Sequence, residues 1–224
     1  YTETLAAALE SRLLARIQYL IDVHSGGTSL RYLPSCVVTR HGDDAFDART
    51  AKLARDFGMP HCLFFRSNEP GSLPAAASRR KVARISAEIG GAGETSRELV
   101  QACRQAMLSC LAGLGMIDAG YASNGDSPAL YDLSPAAATV RADRDGVLVP
   151  EVALGSRVDA GQRLAALIEP ARPDRPADPV PSPQAGTVLC LRPIARSRPG
   201  DCLFQVAPPL PFDTLPRLYD VSCA

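Results

Sequence analysis

Short apolar runs alternating with helical patterns fill the first half of the chain, and this alternation restricts the fold more than any other feature. Tyr19-Leu20-Ile21-Asp22-Val23-His24, Cys36-Val37-Val38-Thr39, Cys62-Leu63-Phe64-Phe65 and Val82 to Ile89 have the length and content of strands. Residues 2–17 place Leu5, Leu9, Leu13 and Ile17 at i,i+4 spacing with charges on the other face, which predicts an amphipathic helix. Asp43 or Asp44 caps a second helix closing near Phe57-Gly58, Pro74 to Arg80 forms a short third, and Thr95 to Leu114 a long fourth ending at Gly115. Strands alternating with helices imply an α/β layer structure, a mostly parallel mixed sheet flanked by helices. Ligands in such sheets sit outside the carboxyl ends of the strands. Two of those ends carry polar residues followed by glycines: Asp22-Val23-His24-Ser25-Gly26-Gly27 and Ala87-Glu88-Ile89-Gly90-Gly91.

After about Ser134 the helical periodicity disappears, and short Val/Leu runs stand between Gly, Pro and Asp. Two half-repeats align: Asp145-Gly146-Val147-Leu148 leading to Val158 to Leu164, and Gln184 to Val188 leading to Arg198 to Leu203. Two similar β-halves joined by the Pro-rich stretch from Pro170 to Pro183 predict a small barrel. The expected organisation is an α/β domain over 1–136, a β-barrel over 137–209 and a tail, docked or loose, over 210–224. The barrel resembles the biotinyl/lipoyl-like carrier domains. Those carriers attach their cofactor to a lysine, and the chain's only lysines, Lys52 and Lys81, lie outside the module. A swinging-arm role is excluded, so the barrel is expected to be structural or to shape a pocket.

Charge narrows the partners. The 24 basic and 24 acidic residues cancel, so no strong field recruits nucleic acid or anionic lipid. The apolar runs are too short and interrupted to span a bilayer. The seven cysteines (Cys36, Cys62, Cys103, Cys110, Cys190, Cys202 and Cys223) include no CxxC pair, and an odd, scattered set predicts reduced, mostly buried thiols in a cytoplasmic protein. The oligomeric state, homo-oligomer included, stays open.

His24 falls where a strand should end, and imidazole is the commonest metal ligand near neutral pH. Glu88 is a lone carboxylate in an apolar strand, which must be paired or functional because burying it unpaired is costly. Three further groups read as structural: His41 at a helix start, His61 at a strand start, and Glu94 as a helix cap. Arg79, Arg80, Lys81 and Arg84 cluster just before Glu88. They form a solvated loop, or one of them binds a substrate carboxylate through a guanidinium.

The run "YLIDVHSGG", then "ISAEIGGAGE" some sixty residues later, then a helix and a lipoyl-like barrel, resembles the succinylglutamate desuccinylase/aspartoacylase family, in particular its N-acetyl-diaminobutyrate deacetylase branch. The likeness runs to about Ala207. It implies a zinc-carboxypeptidase-like fold and a Zn2+ held by an H-x-x-E motif plus a distal His, with a strand-borne Glu activating water. On this chain His24 matches the distal ligand and Glu88 the general base. The implied reaction is amide hydrolysis of a small N-acyl amino acid. The family's H-x-x-E motif and its Asn-Arg pair would precede the helix at which this chain starts, so the chain alone is expected to bind zinc weakly and to be inactive. The family's substrate arginine falls on Ser78, leaving Arg79 or Arg80 to take its place by a shift. The competing reading is a non-catalytic binding or interaction protein derived from the same fold.

Overall fold

The computed structural model describes residues 1–40, 43–66, 69–123 and 126–220. The first half runs α1 (Thr2–Ala8), β1 (Tyr19–His24), β2 (Arg31–Thr39), α2 (Asp44–Phe57), β3 (His61–Phe65), α3 (Leu73–Arg79), β4 (Ala83–Gly91), α4 (Arg97–Gly113) and β5 (Ala129–Asp132). The second half adds β6 (Thr139–Arg141), β7 (Gly146–Pro150), β8 (Arg157–Val158), β9 (Arg163–Ile168), β10 (Asp178–Pro181), β11 (Gly186–Leu191), β12 (Arg196–Ser197), β13 (Cys202–Ala207) and α5 (Leu215–Asp220).

In the α/β half, β1 pairs parallel to β4, β3 parallel to β2 and β5 parallel to β3, while β4 and β2 run antiparallel. One face of this sheet contributes Cys36, Val38, Phe64, Ile85 and Ala87 to a core closed by α2 and α4 through Leu53, Phe57, Ala106 and Cys110. The helix signals hold. Asp43 caps α2 by accepting from the Phe46 N–H, and Gly58 closes it at φ 69°. Ser96 caps α4 by accepting from Leu99 N–H.

The first helix departs from expectation. It is α-helical only to Ala8, and Leu9–Leu13 then form a wider π turn followed by a 3-10 turn over Leu14–Arg16. A π turn inserts an extra residue and rotates the side chains beyond it around the helix axis. Leu14 is therefore the residue buried against Ala76, Ala77 and Val82, while Leu5, Leu9 and Leu13 are exposed.

In the C-terminal half, each half-repeat supplies a long strand, a two-residue strand and a second long strand. These strands form two antiparallel sheets around Leu148, Leu164, Leu167, Val188, Leu203 and Phe204. The expected closed barrel is not what the described strands trace. One sheet is β10-β9-β7-β12, and the other, β11-β13-β6, is an extension of the α/β sheet. The cause lies in β11. With one edge on β13, it gives its other edge to β8 at Gly186 and Thr187 and to β2 at Cys190 and Leu191. Hydrogen bonds therefore cross the expected boundary at residue 136. The tail docks: Leu210 exchanges backbone hydrogen bonds with Leu130, and Phe212 and Leu215 are buried in the α/β core. The six described cysteines are free; Cys223 lies outside the described residues.

Candidate active site

Alternation along the strands sorts the α/β sheet into an apolar face and a polar one. With Ile21, Ile85, Ala87, Cys36 and Val38 turned to the helices, the opposite face carries Asp22 and His24 of β1, Arg84, Ser86 and Glu88 of β4, and Ser35, Val37 and Thr39 of β2. The parallel register sets Asp22 beside Ser86 and His24 beside Glu88. The two residues singled out by their positions before glycine runs thus become neighbours at the carboxyl ends of adjacent strands.

Each group has a distinct electrostatic setting. Asp22 Oδ1 lies 2.8 Å from His24 Nε2, and its Oδ2 accepts from Arg84 Nη2 at 2.9 Å. Burial pushes the Asp22 carboxyl up, but hydrogen bonds from Arg84 and His24 outweigh it and hold the group below its ordinary range. A carboxylate on one imidazole nitrogen fixes ring orientation and leaves the other nitrogen for a ligand. Glu88 is the opposite case. Its Oε2 is buried with no protein hydrogen-bond partner, and burial raises its pKa, with Asp22 adding to the rise and His24 opposing it. A carboxyl made more basic by burial, beside an oriented imidazole, is suited to accept and return a proton.

Glycine turns follow both strands and are bonded to one another. Gly26 N–H donates to Gly90 O at 3.2 Å, Leu30 N–H to Gly26 O at 3.1 Å, and Gly93 N–H to Gly27 O at 2.9 Å. Gly91, at φ 137°, has no room for a side chain, since a Cβ would stand 2.1 Å from Leu30 O. Gly91→Ala is expected to cost about 1–3 kcal/mol through overpacking and backbone strain. A melting temperature equal to wild type would contradict this packing.

The remaining expected residues are placed elsewhere. Arg79 and Arg80 sit at the end of α3 and both pair with Glu10, at 2.7 Å and 3.4 Å, so the structure does not bring them to His24 and Glu88. Lys81 Nζ lies 3.7 Å from an Asp43 oxygen. Only Arg84 of the basic cluster reaches the polar face. Glu94 does not cap α4, a role taken by Ser96, but pairs with Arg31 at 2.6 Å. His41 lies outside the described residues. His61 stands in the same cross-strand row, because Ser35 pairs with both Glu88 and His61, but two strand spacings (about 10 Å) separate it from Glu88. Burial lowers the pKa of His61, whose ring lies 5.8 Å from that of Tyr131.

Among the described residues no three His, Cys, Asp or Glu side chains converge as a metal site. One imidazole with its carboxylate partner does not make a zinc centre, which takes three protein ligands and an open position. The described residues therefore do not fit a zinc ion on their own.

An oriented imidazole and a half-buried carboxyl, set side by side at the ends of two parallel strands just ahead of glycine turns, mark the polar end of this α/β sheet as its candidate site. The chain belongs to the succinylglutamate desuccinylase/aspartoacylase family: the profile of that family's catalytic domain matches residues 1–114. It is 26% identical over 173 residues to N-alpha-acetyl-L-2,4-diaminobutyric acid deacetylase of Halomonas elongata, an alignment covering 76% of this chain and 50% of the relative. Among solved structures it resembles a succinylglutamate desuccinylase/aspartoacylase from Rhodobacter sphaeroides, with TM-score 0.86 and 25% identity over 94% of this chain and 64% of that one. It shares its fold with the product-bound ectoine utilization protein EutE (DoeB) of Ruegeria pomeroyi, with TM-score 0.86 and 22% identity over 92% of this chain and 63% of that one. The chain thus spans half the length of the Halomonas relative and less than two thirds of these structures.

Proposed function

We propose that this chain carries part of the catalytic apparatus of a hydrolase that removes an acyl group from a small N-acyl amino acid. The observation that carries this reading is Glu88: a half-buried carboxyl whose Oε2 is buried with no protein partner, beside an imidazole oriented by Asp22. Family membership and the likeness to a deacetylase support amide hydrolysis as the reaction. In this reading Glu88 takes a proton from the attacking water and delivers it to the leaving amine, while Asp22 holds His24 in place. His24 would supply one ligand to the family's zinc, whose chemistry is Lewis-acid polarisation and water activation. The other ligands would come from groups outside those described. The C-terminal sheets act as a lipoyl-like module that shapes the enzyme without carrying a cofactor, and free thiols suit a cytoplasmic setting.

Release of acetate from N-acetyl-L-2,4-diaminobutyrate by the zinc-loaded full-length enzyme tests the reading. No turnover of this or any other small N-acyl amino acid would favour the competing view of a non-catalytic binding protein. The chain of residues 1–224 alone is expected to lose zinc on dialysis against a mild chelator. Retention of one equivalent would overturn this expectation and point to His41 or His61 as a ligand.

A further inference from the structure

We infer that the chain has a second ligand site, for a small monocarboxylate with an apolar tail, on the polar face of the sheet at the end opposite His24 and Glu88. Because β2 runs antiparallel to β4, the carboxyl ends of β2 and β3 lie beside the start of β4. A cavity of about 520 Å³ opens there, with Val37, Phe65, Pro74 and Leu133 as apolar walls and Thr39 and Arg84 as polar groups. Both polar residues are buried, with Arg84 5% and Thr39 6% exposed.

Their bonding is incomplete. Arg84 Nη2 serves Asp22 and Ser86, yet Arg84 Nε and Thr39 Oγ1 have no protein partner. An arginine Nε can only donate, so its missing partner must be an acceptor. A buried polar group without a partner is costly, and a cavity against two of them is a place where a ligand recovers that cost. The register that sets Val37 opposite Ser86 sets Thr39 opposite Arg84 one pleat further on, on the same face. Both residues line the same cavity from neighbouring strands, and their unpartnered Oγ1 and Nε are two groups from which one carboxylate can accept. Arg66 and Glu69 at the mouth offset one another, so recognition rests on these donors and the apolar walls rather than on net charge.

The site is separate from the proposed catalytic one. Along the strand Arg84 and Glu88 stand about 13 Å apart, and where the side chains come nearest the Asp22 carboxylate stands between the Arg84 guanidinium and the His24 ring. Binding there is independent of the deacylase reading and is tested on the chain itself, without an activity assay.

The test titrates sodium butyrate, against sodium chloride as control, into 15N-labelled protein while following the Arg84 Nε–H resonance, identified by its loss in Arg84→Lys, and the backbone amide resonances of positions 39 and 84, which every variant retains. A saturable shift of these resonances is expected. Thr39→Val removes a hydroxyl that has no protein partner, so it should fold as wild type and weaken butyrate binding about tenfold. Arg84→Lys keeps the positive charge facing Asp22 but lacks the Nε donor, and should weaken binding at least as much. A shift that never saturates overturns the inference. So does equal affinity in wild type and Thr39→Val, or binding lost in His24→Ala but kept in Arg84→Lys.

Discussion

Glu88→Gln is expected to leave the full-length enzyme folded and zinc-loaded while lowering its amide hydrolysis at least about 10²-fold, the lower end of what general acid–base catalysis contributes. The substitution keeps the shape of the side chain and removes only its capacity to take up a proton. Stability should move the other way. Burial raises the folded pKa of Glu88 above its ordinary value of 4.5. Ionising the group is then harder in the folded chain than in the unfolded one. That cost is absent below the unfolded pKa, grows as pH rises through 4.5, and is complete above the folded value. Gln carries no such cost, so the variant should melt above wild type at pH 7, and the difference should shrink in acid. His24→Ala should behave differently, losing metal and activity together. A folded, zinc-loaded Glu88→Gln enzyme with near-wild-type turnover would sink the assignment of Glu88 as the base.

His24 and Glu88 were each legible in the sequence because both stand one strand-length into an apolar run and just ahead of glycines, a pattern with local causes. The strand register then made them neighbours, and register depends on contacts between distant segments. The role of Asp22 was only half legible. Its place two residues before His24 puts both on one face of a strand, but its second partner, Arg84, comes from another strand. Arg79 and Arg80 misled for the same reason: adjacency in sequence to Glu88 said nothing of Glu10, which reaches them from sixty-nine residues away. The closed barrel failed on edge chemistry. The half-repeats are real, but where a strand edge pairs is decided by the strand that lies beside it, and for β11 that is β2. The first helix failed on one inserted residue, which no i,i+4 pattern reveals.

Asp22→Ala is expected to destabilise the chain by about 3 kcal/mol, because it strands the Arg84 guanidinium, 5% exposed, without its counter-charge. At roughly 2–4 °C per kcal/mol for a chain of this size, the melting temperature should fall by about 6–12 °C. The cost belongs to the unpaired charge rather than to the pair, so Asp22→Ala combined with Arg84→Met should recover much of the loss. The pH dependence carries its own sign. The folded pKa of Asp22 is lowered from 3.8, so its contribution is fully present above 3.8 and is lost as pH falls through the folded value. Wild type should surrender this contribution in strong acid, and the gap to Asp22→Ala should close there. Because Asp22 also orients His24, the single variant should weaken zinc binding in the full-length enzyme by about 10- to 100-fold. The double variant, which recovers stability but not the carboxylate on the imidazole, should leave that affinity weak. Melting curves and zinc titrations on the same preparations separate the two roles. An Asp22→Ala chain that melts with wild type at pH 7, or a double variant no more stable than the single, would show that Arg84 does not depend on Asp22.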